Sequence, residues 1–478
     1  MSLPKPIGSA SAPSPALFPS RAQPRIAIVG SGIAGLAAAH TLQGLADLTL
    51  FEADGHFGGE LRSVDLTLPN AQGQPTALTV DLSALVFGEH SDPNLTALAA
   101  QLGLRLQPSE RSFSVQLAGA GPRGEALEWA SGELAGVFSQ PRQLLNPRFW
   151  HLLTQVWRFQ RQCAALAEEQ AATPPGAAGP WLQSLGDWLR AQHYSSGFTQ
   201  AYLLPVLGGL WGGPTEELLR LPIAAALHWC QRQGRRSDQG GHWHTLAGGA
   251  QAVVQAIVGG IADARRGCAV HQVLRDGAGV RLVSDGQVER FDAVLLACHA
   301  DQALAMLGEG ASEEERGVLG GLRFQSRSAV LHTDRSVLPR ARSAWAVWNG
   351  ELGAARGAEA ARAGAHVLLN RLQALPIAQP LLVSLDPLRS IDPAQVLHTW
   401  TQRHPVFDVG ALRAQARVPR LQGQGHTWYA GAWCGHGFHE DGLKAGLHAA
   451  RALIDRFELV PRISERLALR QALPGVLA

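Results

Sequence analysis

The stretch Arg25–Asp54, RIAIVGSGIAGLAAAHTLQGLADLTLFEAD, decides the fold. Ile26–Val29 is a short apolar run rich in β-branched residues, of the length expected for a buried parallel strand. Gly30-Ser31-Gly32-Ile33-Ala34-Gly35 follows and opens onto the helix-forming run Leu36-Ala37-Ala38-Ala39. A second apolar stretch, Leu48–Phe51, ends on Glu52. A lone GxGxxG carries little weight. Set between a strand and a helix, with an acid closing the next strand, it predicts a dinucleotide site. Gly30 permits the tight turn, Gly32 lets a pyrophosphate come close to the backbone, and Gly35 lets helix and strand pack. The helix N-terminus offers unpaired N–H groups to the phosphates, and Glu52 accepts from the ribose hydroxyls. The competing reading is a glycine-rich turn without a ligand, and the context weighs against it.

Working outward, the 478 residues suffice for two domains or one large interleaved unit. With 46% hydrophobic and 17% charged residues the composition is that of a globular protein, and a net charge of +2 gives no case for nucleic acid. Arginine supplies almost all the positive charge, since lysine occurs only at Lys5 and Lys444. The five cysteines, Cys163, Cys230, Cys268, Cys298 and Cys434, form no C-x-x-C pair, which argues for a reducing compartment and against a disulfide or zinc framework. No apolar run approaches the roughly 18–20 residues needed to span a bilayer. Residues 1–24, rich in Pro, Ser and Ala, read as a tail without an export signal. The expected location is the cytoplasm, with at most peripheral contact with the inner membrane.

After Glu52 the chain runs Ala53-Asp54-Gly55-His56-Phe57-Gly58-Gly59, and a paired glycine soon after the acid suits FAD better than NAD. Here the chain resembles the flavin-containing amine oxidase superfamily. It is most similar to a bacterial NAD/FAD-binding branch whose members accompany cyclopropane fatty acid synthases. The resemblance implies an α/β fold: a Rossmann-like FAD-binding domain of the glutathione-reductase/amine-oxidase type, interleaved with a substrate domain of mixed sheet plus helices. The expected segments are 25–115, 240–322 and 419–460 for the FAD domain, 116–239 and 323–418 for the substrate domain, and 461–478 as a C-terminal tail. FAD is then expected against Gly30, Gly32, Ile33, Ala34, Gly35, Glu52, Ala53, Gly58, Gly59, Glu60, Leu61, Val273, Gly431, Ala432, Asp441, Gly442 and Leu443. Two departures fall beside the expected flavin ring. Glu60 stands where the family has His or Arg, and Val80-Asp81-Leu82-Ser83 puts Ser83 in place of a glycine.

Further along, Leu144–Ala167 interleaves Leu, Phe and Trp with Arg148, Arg158 and Arg161. It reads either as a core helix, the favoured reading, or as a helix resting on a membrane surface. Tyr202–Pro214 suits a substrate-pocket wall or close helix packing. His242 and His244 would share one face of a strand, but no third ligand is placed, so no metal is expected. Strands are expected at Ser328–His332, Ala344–Trp348, His366–Leu369 and Leu381–Leu385, with Asn349 and Asn370 as candidate pocket residues. Thr427–Ala449, TWYAGAWCGHGFHEDGLKAGLHA, combines a strand, a glycine turn and a helix. The resemblance sets Gly431 against the ribityl-pyrophosphate and points the helix at the N1/O2 edge of the ring, where reduced flavin carries negative charge.

His436, His439 and Trp433 are the candidate catalytic residues, as substrate-orienting groups or, for the histidines, proton acceptors; His299 is weaker. Neither lysine occupies the place of the family's water-holding lysine, no cysteine near Arg403–Asp408 offers a flavin attachment, and no tyrosine follows Gly431. Three readings stand: oxidation or desaturation of an apolar acyl or lipid substrate, which comes first; an amine or amino acid oxidase; and a flavin-binding partner protein with little activity of its own. The sequence is silent on oligomeric state.

Overall fold

A computed structural model of the chain describes residues 23–118, 126–173, 179–232, 243–353 and 361–459. Arg25–Val29 lies at the centre of a parallel sheet, between Asp47–Phe51 and Ala293–Leu296. Asp263–Arg265 and Thr427–Tyr429 complete five strands. The apolar runs are buried on both faces, as parallel strands covered by helices must be. Helices Ile33–Leu42 and His439–Phe457 pack on each other over this sheet, and a three-stranded antiparallel meander, Val270–Phe291, covers its other face.

A second, seven-stranded sheet runs in the order Val396–Val406, Arg323–His332, Leu382–Leu385, Ala363–Leu368, Trp348–Leu352, Phe113–Leu117, Leu127–Ala130. It is mixed: Trp348–Leu352 pairs in parallel with Phe113–Leu117, and the other pairings are antiparallel. Helices Pro147–Ala172, Leu204–Trp211 and Ile223–Arg232 join it around an aromatic core of Trp129, Phe149, Phe159, Phe198, Tyr202 and Trp229. Strands of the two sheets alternate along the sequence, so each is assembled from distant segments.

Two strand expectations need correction. The segment Ala344–Trp348 is a strand only from Trp348, which continues to Leu352. Arg342–Ala344 closes a 3-10 turn instead, and the Asn349 side chain accepts the Ala346 N–H at 3.0 Å, holding the chain out of the ladder. The eleven-residue strand Val396–Val406, VLHTWTQRHPV, had no counterpart among the expected strands. Its polar side chains hide the apolar alternation that would have marked it. The N-terminal and C-terminal tails, for the most part, and His242 lie outside the described residues.

Candidate active site

The fingerprint glycines divide their work. Gly30 takes φ +103°, and a Cβ there would stand 2.7 Å from the Ala297 carbonyl oxygen. A Cβ on Gly35 would run into the Gly30 carbonyl. Both are therefore packing requirements. Gly32 differs, because nothing lies within 4 Å of its Cβ position. It leaves open backbone where helix Ile33–Leu42 begins and its first N–H groups lack intrahelical partners. Glu52, only 8% exposed, accepts from Ser31 N at 3.0 Å and Ser31 Oγ at 2.5 Å, and its other oxygen takes the Asp54 N–H at 2.9 Å. Ser31 Oγ accepts the Gly58 N–H at 2.9 Å, tying the loop that carries Ala53, Gly58 and Gly59 to the fingerprint. The Cβ position of Gly59 lies 3.2 Å from Gly32 Cα, so the paired glycine closes over the open backbone. Leu61 is buried and donates its N–H to the Gly58 carbonyl.

The far end of the chain returns to the same place. A Cβ on Gly431 would collide with the Trp433 indole. Asp441 Oδ2 accepts the His436 and Phe438 N–H groups at 3.0 and 3.1 Å, which shapes the loop entering helix His439–Phe457. A Cβ on Gly442 would stand 2.7 Å from Ile33 Cγ2 and 3.4 Å from Ala432 N, and one on Gly446 would run into the Ala34 carbonyl. Ile33, Ala34, Ala432, Gly442 and buried Leu443 thus meet, although sequence separates them by some four hundred positions.

Five histidines gather around that loop. His436 and His228, the latter from helix Ile223–Arg232, stack with ring centroids 4.4 Å apart and planes 13° apart. The Nε2 of each is buried without a hydrogen-bond partner. Burial lowers both imidazoles; His228, with His436 and Arg232 adding to the effect, is brought down to about 3. His439 opens the helix, and burial lowers it to about 4. His404, on Val396–Val406, is lowered to about 3 by burial and then by Arg327, His299 and His439. His299 stacks on Phe324 at 4.4 Å and is lowered to about 4, again chiefly by burial. All five are neutral at pH 7, fit to accept a proton or a hydrogen bond. His228 and His404 lie in no motif, so sequence offered no signal for them.

The two departures from the family pattern also have environments. The Glu60 residue is exposed overall, yet protein crowds its carboxyl, and lost hydration pushes it up to about 7 against the pull of Arg62. Asp81 is fully buried and pushed up to about 6. Its Oδ1 accepts from Ser83 N at 2.8 Å and from Ser83 Oγ, so the serine that replaces the family glycine serves as the partner of a buried acid.

Other candidates are held by their own packing and hydrogen bonds. Trp433 is 2% exposed and spends its indole N–H on the Cys298 carbonyl at 2.9 Å. Val273 is buried in the core between the meander and the parallel sheet. Asn349 is fully buried among Ser114, Ala346 and the His366 carbonyl, and Asn370 clamps the loop at Ile377, Gln379 and Leu381. Each satisfies backbone groups at a strand end. Among the described residues one trio of metal-ligand type occurs, His228, His436 and Asp441. Its carboxylate is already committed to two backbone amides, and its imidazoles lie parallel rather than convergent.

A small cavity of about 50 Å³ opens between the mixed sheet and helices Leu204–Trp211 and Ile223–Arg232. Phe113, Pro205, Val206, Leu210, Trp229 and Trp348 form its apolar lining, and Arg111 is the one charged residue on it. The next residues along the two helices lead to the histidine pair: Trp211 donates its indole N–H to the His436 carbonyl at 3.2 Å, and His228 precedes Trp229.

The family model for flavin containing amine oxidoreductase matches residues 33–340, more than half of the 478. The chain belongs to the flavin-containing amine oxidoreductase family. Among curated relatives, it is 26% identical over 275 residues to a putative flavin-containing monoamine oxidase, AofH, of Mycobacterium tuberculosis, a match covering 55% of this chain and 54% of that protein. Over 82 residues it is 40% identical to protoporphyrinogen oxidase 2 of Arabidopsis thaliana, covering 17% of this chain and 14% of that one. The chain thus spans about half the length, or less, of the curated relatives it matches. Among solved structures, cyclohexylamine oxidase from Brevibacterium oxydans superposes with a TM-score of 0.64 at 17% identity, covering 91% of this chain and 100% of that one. A CLA-producing fatty acid isomerase from P. acnes gives 0.59 at 16% identity, covering 91% and 98%. These two likenesses bear on the fold alone.

Members of this family are FAD oxidoreductases, and the residues present fit the cofactor. The open backbone at Gly32, the Gly59 lid above it and the glycine contacts at Gly442 form a cradle that side chains would fill. Gly30–Gly35, Glu52 and Gly58–Gly59 would hold the adenosine diphosphate end, and the Gly431–Leu443 segment the other.

Proposed function

We propose that this family member oxidises or desaturates an apolar substrate, a modified fatty acyl or lipid chain. The apolar cavity, on the same two helices that carry Trp211 and His228, carries the reading. Its aromatic and aliphatic walls suit a hydrocarbon segment, each buried CH2 being worth roughly 0.8 kcal/mol. When bound, the flavin supplies the two-electron chemistry, taking a hydride from a substrate C–H bond. The chain's own residues do the rest. The walls exclude water and fix which carbon is presented, and His436 and His439, kept neutral by burial, are the residues proposed to orient substrate or hold a proton.

Arg111 favours an anionic headgroup over an amine. Burial lowers its guanidinium to about 9, and it bonds to the Arg232 carbonyl and lies 4.6 Å over the Trp243 ring. A cation in the cavity wall attracts a carboxylate or phosphate and repels an ammonium group. The second reading, an amine or amino acid oxidase, draws on the AofH and cyclohexylamine oxidase likenesses. The cavity lining contains no acid to receive an amine.

The test is anaerobic bleaching of the purified flavoprotein's visible spectrum by free and phospholipid-bound acyl chains, set beside an amine panel read by peroxide release. Bleaching by acyl chains alone is expected. Turnover of amines alone would replace the first reading with the second, and flavin bleached by nothing would point to a partner protein with little activity. Arg111→Gln is expected to raise KM for a carboxylate-bearing substrate about tenfold with kcat little changed, the signature of lost ground-state binding.

A further inference from the structure

The strongest feature left unexplained lies on the outer side of the helical layer. Among the described residues, five of the eight exposed large hydrophobics fall in one short segment: Leu134 (77% exposed), Leu144 (49%), Leu145 (89%), Trp150 (47%) and Trp157 (59%). Helix Pro147–Ala172 buries Phe149, Leu152, Phe159 and Cys163 against its own domain. Trp150, Thr154, Trp157 and Arg161, spaced for a single helical stripe, point the opposite way. The core reading of this helix therefore holds for one face and leaves the other unaccounted for. The Trp150 indole donates to the Leu144 carbonyl at 2.9 Å and its ring lies 5.5 Å from Phe138, so the turn Pro141–Leu145 and the helix form one surface. Arg161 covers the Trp157 ring at 4.6 Å.

Charge points to what that surface meets. Arg142, Arg148 and Arg161 are exposed among these apolar groups, while Arg158 turns inward to the Gln192 carbonyl and the Tyr194 ring, and the nearest acids, Glu133, Glu168 and Glu169, stand at the two ends of the segment. We infer that this face docks the protein on an anionic lipid surface. Leucines and tryptophans enter the interfacial region while the arginines meet headgroup phosphates, each basic residue contributing attraction to the negative leaflet. A second copy of this chain fits less well, since a twofold contact centred on Trp157 would bring Arg148 and Arg161 of both copies together. No helix among the described residues is long and apolar enough to cross a bilayer, so the contact is interfacial. Its position also connects with the cavity. Helix Pro147–Ala172 packs directly on Ile223–Arg232, which supplies Trp229 to the cavity wall. The inference rests on this surface alone and stands whichever substrate the cavity takes.

The test is co-sedimentation of the flavin-loaded protein with phosphatidylcholine vesicles, with and without phosphatidylglycerol, at low and high salt. The expected result is binding that needs phosphatidylglycerol and weakens with salt. The Trp150→Ala/Trp157→Ala double variant should bind at least about tenfold more weakly. Arg148→Glu/Arg161→Glu should abolish the preference for anionic vesicles. Unchanged flavin absorbance and thermal melting would show that the variants are folded. Equal binding by wild type and the tryptophan variant, or no binding by wild type, would overturn the inference. So would a dimer in analytical ultracentrifugation that Trp157→Ala dissolves, which would give the face to a second copy.

Discussion

Gly32 and Glu60 separate what a single residue does for the fold from what it does for the cofactor. With nothing within 4 Å of its Cβ position, Gly32→Val should leave folding intact, melting within a few degrees of wild type, yet strip the protein of its colour. A fully yellow Gly32→Val protein would sink the site assignment. Gly30 and Gly35 cannot be used this way, because a side chain at either strikes backbone. Glu60 has a carboxyl pushed to about 7, so its charge changes across neutral pH. The flavin absorbance of the wild type should therefore shift with a midpoint near pH 7, and Glu60→Gln should flatten that titration. An unchanged midpoint in the variant would assign the titration to another group. Sequence could mark Glu60 as unusual, but a raised pKa depends on which atoms crowd it, which no motif encodes.

Among the elements, the pairing of the first and last helices is the one on which the site depends. Gly446 lets helix His439–Phe457 lie against Ala34, and Gly442 lets it meet Ile33. Gly446→Ala should cost about 1–3 kcal/mol through overpacking and lower flavin occupancy with it, read by urea unfolding and by the visible spectrum. Both helices were legible in the sequence, from the glycine fingerprint and from the strand–turn–helix pattern of Thr427–Ala449. Their contact was not, since a glycine within a helix announces no partner. The substrate sheet was less legible. Strand Val396–Val406 is rich in Thr, His, Gln and Arg and pairs along its length with Arg323–His332. Deeper in that sheet, Ser384 Oγ lies 2.6 Å from both His332 Nε2 and His366 Nδ1, while Glu351 stands 3.1 Å from His366 Nε2. All four residues are buried, so this polar network locks strands together and meets no substrate.

For the molecule as a whole, the gathered histidines set how stability depends on pH. Burial lowers His228 and His404 to about 3 and His299 and His439 to about 4 in the folded state. The unfolded chain, with ordinary imidazoles near 6.5, binds protons first as pH falls. This contribution is intact above about pH 6.5 and is lost progressively between about 6.5 and about 3. Burial would raise Glu315, but bonds from Arg275 and Tyr429 outweigh it and hold the carboxyl at about 2, extending the loss further into acid. Glu60 and Asp81, both raised, oppose the trend between about pH 4 and 7. The urea midpoint should be lower at pH 5 than at pH 8, and His404→Gln should reduce the difference. A midpoint that rose on acidification would contradict this balance. Finally, the strand order Thr427–Tyr429, Ala293–Leu296, Arg25–Val29, Asp47–Phe51, Asp263–Arg265 has a consequence in time. The central strand leaves the ribosome first, and the outermost strand beside Ala293–Leu296 leaves some four hundred residues later. At ~5–20 residues per second that is roughly 20–80 s. During that interval the nascent chain holds an apolar edge with no neighbour, and the flavin site is complete only once Thr427–Tyr429 and the helix after it have emerged.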